Sequence, residues 1–256
     1  MSLAIPRGII YHRVVDDLKW LVRALFRRLD DETTVSEFEQ AFARLVGCRY
    51  AVAFPFARTA IYFALKSRNL PKGAEVIMPP ISIKGILDVV LEHGLKPVFV
   101  DIEPSTLCFK MEDLRRAISD NTQAIIVTYL YGIVPDVEQM LALCRESRLF
   151  IIEDFSQCLN GKFKGKKVGG FGHVGVYSAS SIKTLDTYGG GLVVCDDESI
   201  YAAMNEERHR LSPPGRMFLV KKIFTDLMRN VATTRLVFGL VVFPLLKLLN
   251  YFKPNS

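Results

Sequence analysis

The sequence predicts an α/β protein: a mostly parallel sheet sandwiched by helices, followed by a basic, apolar helical segment. Two observations carry the sheet. Short apolar runs of strand length recur between residues 50 and 195, and stretches with helical spacing lie between several of them. That alternation implies parallel strands covered on both faces. The chain has 256 residues, half of them hydrophobic, enough for one large core or a core domain with an appendage.

Taken in order, the first element is a helix-like stretch over Val15–Leu29 that mixes apolar and basic positions, with Trp20 as its packing anchor. VSEFEQAFARLVG (Val35–Gly47) reads as an amphipathic helix. Ser36 is placed to cap it, Glu39 follows three residues later as in a capping box, and Gly47 ends it. Phe38, Phe42 and Leu45 share one face. The strand candidates are Tyr50–Phe54, Glu75–Met78, Pro97–Asp101, Ala124–Tyr129, Leu149–Asp154, Val174–Ser178 and Gly191–Cys195. Helical patterns cover Thr59–Lys66, Lys84–His93, Met111–Ile118 and Val137–Glu146. Ser212-Pro213-Pro214-Gly215 is a strong loop signal. The expected organisation is an N-terminal helical arm (1–34), a large domain (35–211) and a basic, apolar helical segment (212–256).

The formal charge is +6, with basic residues concentrated near Arg23, Arg27 and Arg28, over Lys162–Lys167, and after Arg208. No nucleic-acid-binding motif accompanies them, which leaves anionic substrates or a membrane surface as the partners to expect. The five cysteines are scattered and lack CxxC spacing, so a reducing cytoplasm fits better than a disulfide framework or a zinc site. The start of the chain has no apolar stretch long enough for a signal peptide. His12, His93, His173 and His209 lack metal-ligand spacing and read as structural or surface residues.

Ligands of parallel sheets bind outside the carboxyl ends of the strands, so chemistry is expected just after each apolar run. Asp154 ends LFIIED: a carboxylate there suits a ligand cation, or else caps a helix or faces solvent. Lys183 follows the VYS strand and precedes Gly189–Gly191. It is a Schiff-base candidate or a surface lysine in a polar turn. Ser178–Ser181 offers hydroxyl and N–H groups suited to a phosphate. Ala57-Arg58-Thr59 opens a helix whose N–H groups suit an anion, or is an ordinary helix start.

Together, FEQAFARLVGCRYAVAF, KGAEVIMPPISIKGILDVVLEHGLKPVFVDIEPSTL, YLYGIVPDVEQMLALC and IIEDFSQCLNGKFKGKKVGGFGHVGVYSASSIKTLDTYGGG resemble the DegT/StrS-type sugar aminotransferases, which depend on pyridoxal 5′-phosphate (PLP) and have the aspartate-aminotransferase-like fold. The resemblance runs from about Ser36 to Cys195. It implies that Lys183 holds PLP covalently and moves the substrate proton, and that Asp154 keeps the pyridine nitrogen protonated. It implies further that Gln157, one helical turn on, contacts the ring hydroxyl, and that Ser178 contacts the phosphate with backbone at Ala57 and Arg58. The activity implied is transfer of an amino group, with glutamate as donor, to a keto-sugar that is nucleotide-linked, in polysaccharide or sugar biosynthesis. A homodimer is also implied. Two rival readings are open: a different PLP-dependent reaction on a similar substrate, and a degenerate or truncated, non-catalytic homologue with an assembly or membrane-associated role.

Three departures stand out, the largest of them downstream. Phe56-Ala57-Arg58 replaces the family's Ser-Gly-Thr, so Arg58 is expected to substitute a charge for a phosphate contact. Ile83 stands where an aromatic residue usually stacks on the ring, and can pack there only as an aliphatic. Downstream, the family's GxNxR-like segment is not recognisable, and the chain reads as a truncated or partial sequence, or else as a natural remnant. Its tail, with LVFGLVVFPLL (Leu236–Leu246), Pro244 and Lys247, is too short and interrupted for a simple span. Three fates are open to the stretch 217–252: burial against protein, contact with a membrane surface, or a true span. Arg235, Lys247 and Lys253 flank or punctuate it.

Overall fold

A computed structural model describes residues 4–6, 8, 10, 12–27 and 31–252, with side chains as far as 249. Arg28, Leu29 and Lys253, cited above, lie outside the described residues. The chain divides into two compact units. The larger comprises Asp31–Leu185 and Gly189–Ser212; the smaller draws its described residues from 1–30, 186–188 and 213–256.

In the larger unit the first helix (α2, Glu32–Val46; α1 is described below) starts earlier than expected. Asp31, not Ser36, is the N-cap, and its carboxylate accepts the N–H groups of Thr33 and Thr34. A carboxylate at the positive end of the helix dipole outcompetes a hydroxyl further along. Ser36 lies inside the helix and accepts from Gln40 Nε2. No capping box forms, because Glu39 turns inward and accepts the Ala53 N–H at 2.7 Å. Ala53 belongs to an edge strand, so Glu39 covers backbone that would otherwise be left open. Gly47 ends the helix at φ 90°, a left-handed conformation natural to glycine.

The order that follows is β1 (Tyr50–Phe54), α3 (Ala57–Lys66), β2 (Glu75–Met78), α4 (Lys84–Glu92), β3 (Lys96–Phe99), α5 (Met111–Ala117), β4 (Thr122–Thr128), α6 (Glu138–Glu146), β5 (Phe150–Asp154), β6 (Lys162–Phe163), β7 (Lys166–Lys167), β8 (Val174–Ser178), β9 (Gly191–Cys195) and α7 (Glu198–Arg210). All seven expected strands are present. The third begins one residue early and stops at Phe99 instead of Asp101. The β6–β7 hairpin and α7 were not anticipated.

The main sheet has the order β1-β9-β8-β5-β4-β2-β3. Pairing is parallel from β8 through β5, β4 and β2 to β3. β9 runs antiparallel to both of its neighbours, so β1 points the same way as β8. Successive strand residues enter opposite layers: Ile125, Ile151 and Tyr177 pack with α2, α5 and α6, while Ala124, Ile152 and Val176 pack with α3, α4 and α7. Double burial explains why these strands read as unbroken apolar runs.

The smaller unit pairs α1 (Val14–Phe26) with α8 (Arg216–Thr233). Asp17 of α1 is fully buried and accepts hydrogen bonds from Asn230 Nδ2 and Tyr188 Oη, each at 2.7 Å, and from His12 Nδ1 at 3.0 Å. α9 (Arg235–Val237), a π-helical turn (Phe238–Val242) and α10 (Phe243–Phe252) continue the chain.

The cap correction is testable. Asp31→Ala should lower unfolding stability by about 1 kcal/mol and Ser36→Ala by less than about 0.5 kcal/mol, measured by urea denaturation. The reverse order would reinstate Ser36 as the cap.

Candidate active site

Because β1, β2, β4, β5 and β8 share one direction, their carboxyl ends meet at one edge of the sheet, where such folds place ligands. A cavity of about 360 Å³ opens there. Its walls come from all five strand ends: Ala57 and Arg58 after β1, Ile81, Ser82 and Ile83 after β2, Thr128 on β4, Asp154, Ser156 and Gln157 at β5, and Ser178, Ser180 and Lys183 at β8. The structure therefore brings together Lys183, Asp154, Gln157, Ser178, Ala57, Arg58 and Ile83, whereas Thr59 and Ser181 do not line this cavity.

Asp154 is the last residue of β5, buried, and held in register by Thr128 on one side and Val176 on the other. Burial pushes its carboxyl above the ordinary carboxylate range. Hydrogen bonds from the side chain and backbone of Ser156, then the charge of Lys183, act in the opposite direction. A carboxylate in this state gains most from a cationic group on a ligand. Gln157 occupies a turn and not a helix; its Oε1 accepts the Tyr131 N–H at 3.0 Å. That bond assigns the amide's NH₂ as the donor toward other partners.

The anion side is built from two elements. α3 begins without a side-chain cap, leaving its first N–H groups available at the positive end of the dipole. Across from it, Ser178 Oγ and Ser180 Oγ lie 3.0 Å apart. The close approach depends on Gly191, where a Cβ would stand 2.4 Å from the Ala57 nitrogen. Arg58 lines the cavity but is exposed, and its guanidinium lies 4.7 Å from the centre of the Phe56 ring. Backbone, more than this side chain, gives the site its anion character. Ile83 stands at the wall as the N-cap residue of α4.

Lys183 is half-buried and follows Ile182, whose φ of 70° is strained for a β-branched residue. Its loop is pinned by Tyr177: the phenol accepts the Leu185 N–H at 2.9 Å and donates to the Leu185 carbonyl at 3.3 Å.

Sequence reasoning missed several supporting residues. Ser156 Oγ accepts the Ser178 N–H at 2.9 Å and ties the end of β5 to the end of β8. Glu153, next to Asp154 but on the opposite face, accepts from Tyr129 Oη and the N–H groups of Gly169, Phe171 and Gly172, fixing the loop that enters β8. Nothing in the local sequence marks a hydroxyl or a buried glutamate for such tasks; only three-dimensional adjacency does.

The cavity also tests a ligand's fit. Ser82 Oγ and Thr128 Oγ1 are buried in its wall without a hydrogen-bond partner among the described residues, as expected where a polar ligand completes the site. A carboxylate wanting a cation, an amide donor, an anion cradle and an amine match the pyridine nitrogen, ring hydroxyl, phosphate and aldehyde of PLP.

Fold and cavity together define the large domain of the PLP-dependent aminotransferase fold. The chain belongs to the DegT/DnrJ/EryC1/StrS aminotransferase family, whose pattern matches residues 18–218. It is 33% identical over 167 residues to the GDP-perosamine synthase of Escherichia coli O157:H7, covering 65% of this chain and 46% of that one. It is 30% identical over 216 residues to the L-glutamine:2-deoxy-scyllo-inosose aminotransferase of Streptoalloteichus tenebrarius, covering 82% and 50%. The chain thus spans about half the length of these relatives. Among solved structures, the sugar aminotransferase CalS13 from Micromonospora echinospora superposes with a TM-score of 0.73 at 26% identity, over 89% of this chain and 69% of that one. E. coli GDP-4-keto-6-deoxy-D-mannose-3-dehydratase with bound hydrated PLP shares the fold, with a TM-score of 0.73 at 21% identity over 91% and 69%.

The pinning role of Tyr177 yields an expectation. Tyr177→Phe should cost about 1 kcal/mol and speed amide exchange at Leu185 while sparing β4 and β5, read by hydrogen-exchange mass spectrometry. Unchanged exchange across 180–185 would contradict it.

Proposed function

We propose that the protein is a PLP-dependent aminotransferase that moves an amino group from an amino acid, glutamate by preference, to a nucleotide-linked keto-sugar. The observation that carries this reading is the convergence of Asp154, Gln157, Ser178, Lys183 and the start of α3 on one cavity. Bound PLP supplies an electron sink for the carbon that loses or gains nitrogen. The chain's own residues do the rest. Lys183 Nζ is the amine that would hold the cofactor and, when not holding it, the base and acid that would move a proton at the reacting carbon. Asp154 holds a proton on the pyridine nitrogen by charge pairing in a buried setting. Gln157 orients the ring through its amide. Ser178, Ser180 and the first N–H groups of α3 anchor the phosphate. The relatives' names, which refer to GDP-perosamine and 2-deoxy-scyllo-inosose, support a sugar-like acceptor. The five free cysteines support a cytoplasmic setting.

The test is direct. The purified chain titrated with PLP should develop a visible absorption band, and borohydride should fix the cofactor on Lys183, located by peptide mass spectrometry. Lys183→Ala should abolish the covalent attachment and lower glutamate-dependent turnover by roughly 10²–10⁴-fold or more from lost proton transfer. Labelling elsewhere, or no band, would turn the reading toward a non-catalytic homologue.

The homodimer belongs to the same proposal. Ile81 and Ile83, both lining the cavity, are 46% and 66% exposed, an apolar rim suited to cover by a second subunit. Light scattering of the PLP-loaded protein should give twice the chain mass; a monomer with full cofactor occupancy would rule this out.

A further inference from the structure

The smaller unit carries more apolar side chain on its outside than its own packing uses. α8 buries Ile223, Asp226, Leu227 and Asn230. Met217, Phe224, Met228 and Val231 form a separate stripe at helical spacing and are 37–70% exposed. On α1, Val15, Leu18, Val22 and Leu25 form a second exposed stripe. Past a 67° bend between Thr233 and Arg235, α9 and the π-helical turn bury nothing, and Leu236, Leu240, Leu245 and Leu249 are 54–65% exposed. A helix that is apolar all round belongs in hydrocarbon or beneath other protein.

Charge decides between these. From Leu227 to Ser256 the sequence has no Asp or Glu, and its charged residues Arg229, Arg235, Lys247 and Lys253 are all basic. Asp17 and Asp226 are buried, and Asp16 pairs with Arg13 at 3.3 Å and Lys19 at 3.7 Å. Lys221 falls in the same helical stripe as Met217 and Phe224, and Arg235 opens the next helix beyond the bend, beside the exposed Leu236, so basic head groups border the apolar surface. Long basic stems beside such a stripe reach lipid phosphates while the stripe enters the acyl boundary. A second copy would set the same basic groups against themselves. Among the described residues no single helix is long and apolar enough to cross a membrane; only the bent pair Arg216–Thr233 and Arg235–Leu249 passes by length and composition. Pro244 and Lys247 interrupt its apolar half, which suits a helix lying in the interface.

We propose that the smaller unit docks on the surface of an anionic lipid bilayer through the outward faces of α1, α8 and α10. The inference does not depend on the transamination reading. The full chain should be mixed with vesicles of phosphatidylcholine alone, or of phosphatidylcholine with phosphatidylserine, and floated on a density gradient. The expected result is flotation with the phosphatidylserine vesicles, at least tenfold weaker binding to the neutral ones, and release by salt. The combined variant Lys221→Glu, Arg235→Glu and Lys247→Glu should lose flotation while keeping the wild-type circular dichroism, unfolding midpoint and PLP titration. Equal binding to both vesicle types, or none, would overturn the proposal. So would a lipid-insensitive dimer, measured by light scattering, whose contact protects α8 and α10 from hydrogen exchange; that result would assign the surface to a second copy.

Discussion

A carboxylate buried at the end of a central strand is the constraint around which this protein is arranged. Taking Asp154 out of water costs several kcal/mol unless something compensates it, and its hydrogen bonds from Ser156 do not restore its pKa to the ordinary range. The neighbouring structure is consistent with holding that group ready. Parallel pairing with β4 and β8 fixes where β5 ends. Ser156 ties that end to Ser178, and Tyr177, one residue before Ser178, ties the strand to the loop of Lys183. Acid, anion cradle and amine are thus positioned by one short series of hydrogen bonds crossing adjacent strands.

The alternation of a strand lets two adjacent carboxylates serve opposite layers. Glu153 faces away from the cavity and gathers three backbone N–H groups and a phenol. It is a structural anchor for the glycine-rich entry to β8, where Gly175 packs so closely that a Cβ would lie 2.2 Å from the Gly169 carbonyl oxygen. Asp154 faces the cavity. The two acids are adjacent and both buried, and they enter opposite faces of the sheet.

Much of this was legible in the sequence, for identifiable reasons. Strands buried on both faces leave apolar runs that need no partner to be noticed, and residues just past their ends mark the site. Lys183, Asp154 and Ser178 are chosen on that ground and line one cavity in the structure, while their proposed roles rest on resemblance. Other features left weaker traces. The Ser36–Glu39 spacing fits a capping box, yet Asp31 competes for the helix start and Glu39 is recruited by a strand. α7 buries only Ile200 and Met204 among its thirteen residues, so its periodicity is faint. The β6–β7 hairpin is hidden in a run of lysines, and its turn shows only in the positive φ of Lys164 and Gly165. The strain at Ile182 has no sequence signature.

The pairing of α1 with α8 has a consequence for biosynthesis. Asp17 and its partner Asn230 are 213 positions apart. At about 5–20 residues per second, a ribosome finishes α1 roughly 10–40 s before Asn230 is made. A thirteen-residue helix is marginal in water by itself. Nascent α1, with a carboxylate destined for burial and an apolar stripe beside it, therefore waits unpaired while the strands and helices of the sheet emerge behind it. α1 and α8 can be joined only after the sheet between them has been made, so α1 is secured later than elements that follow it in the sequence.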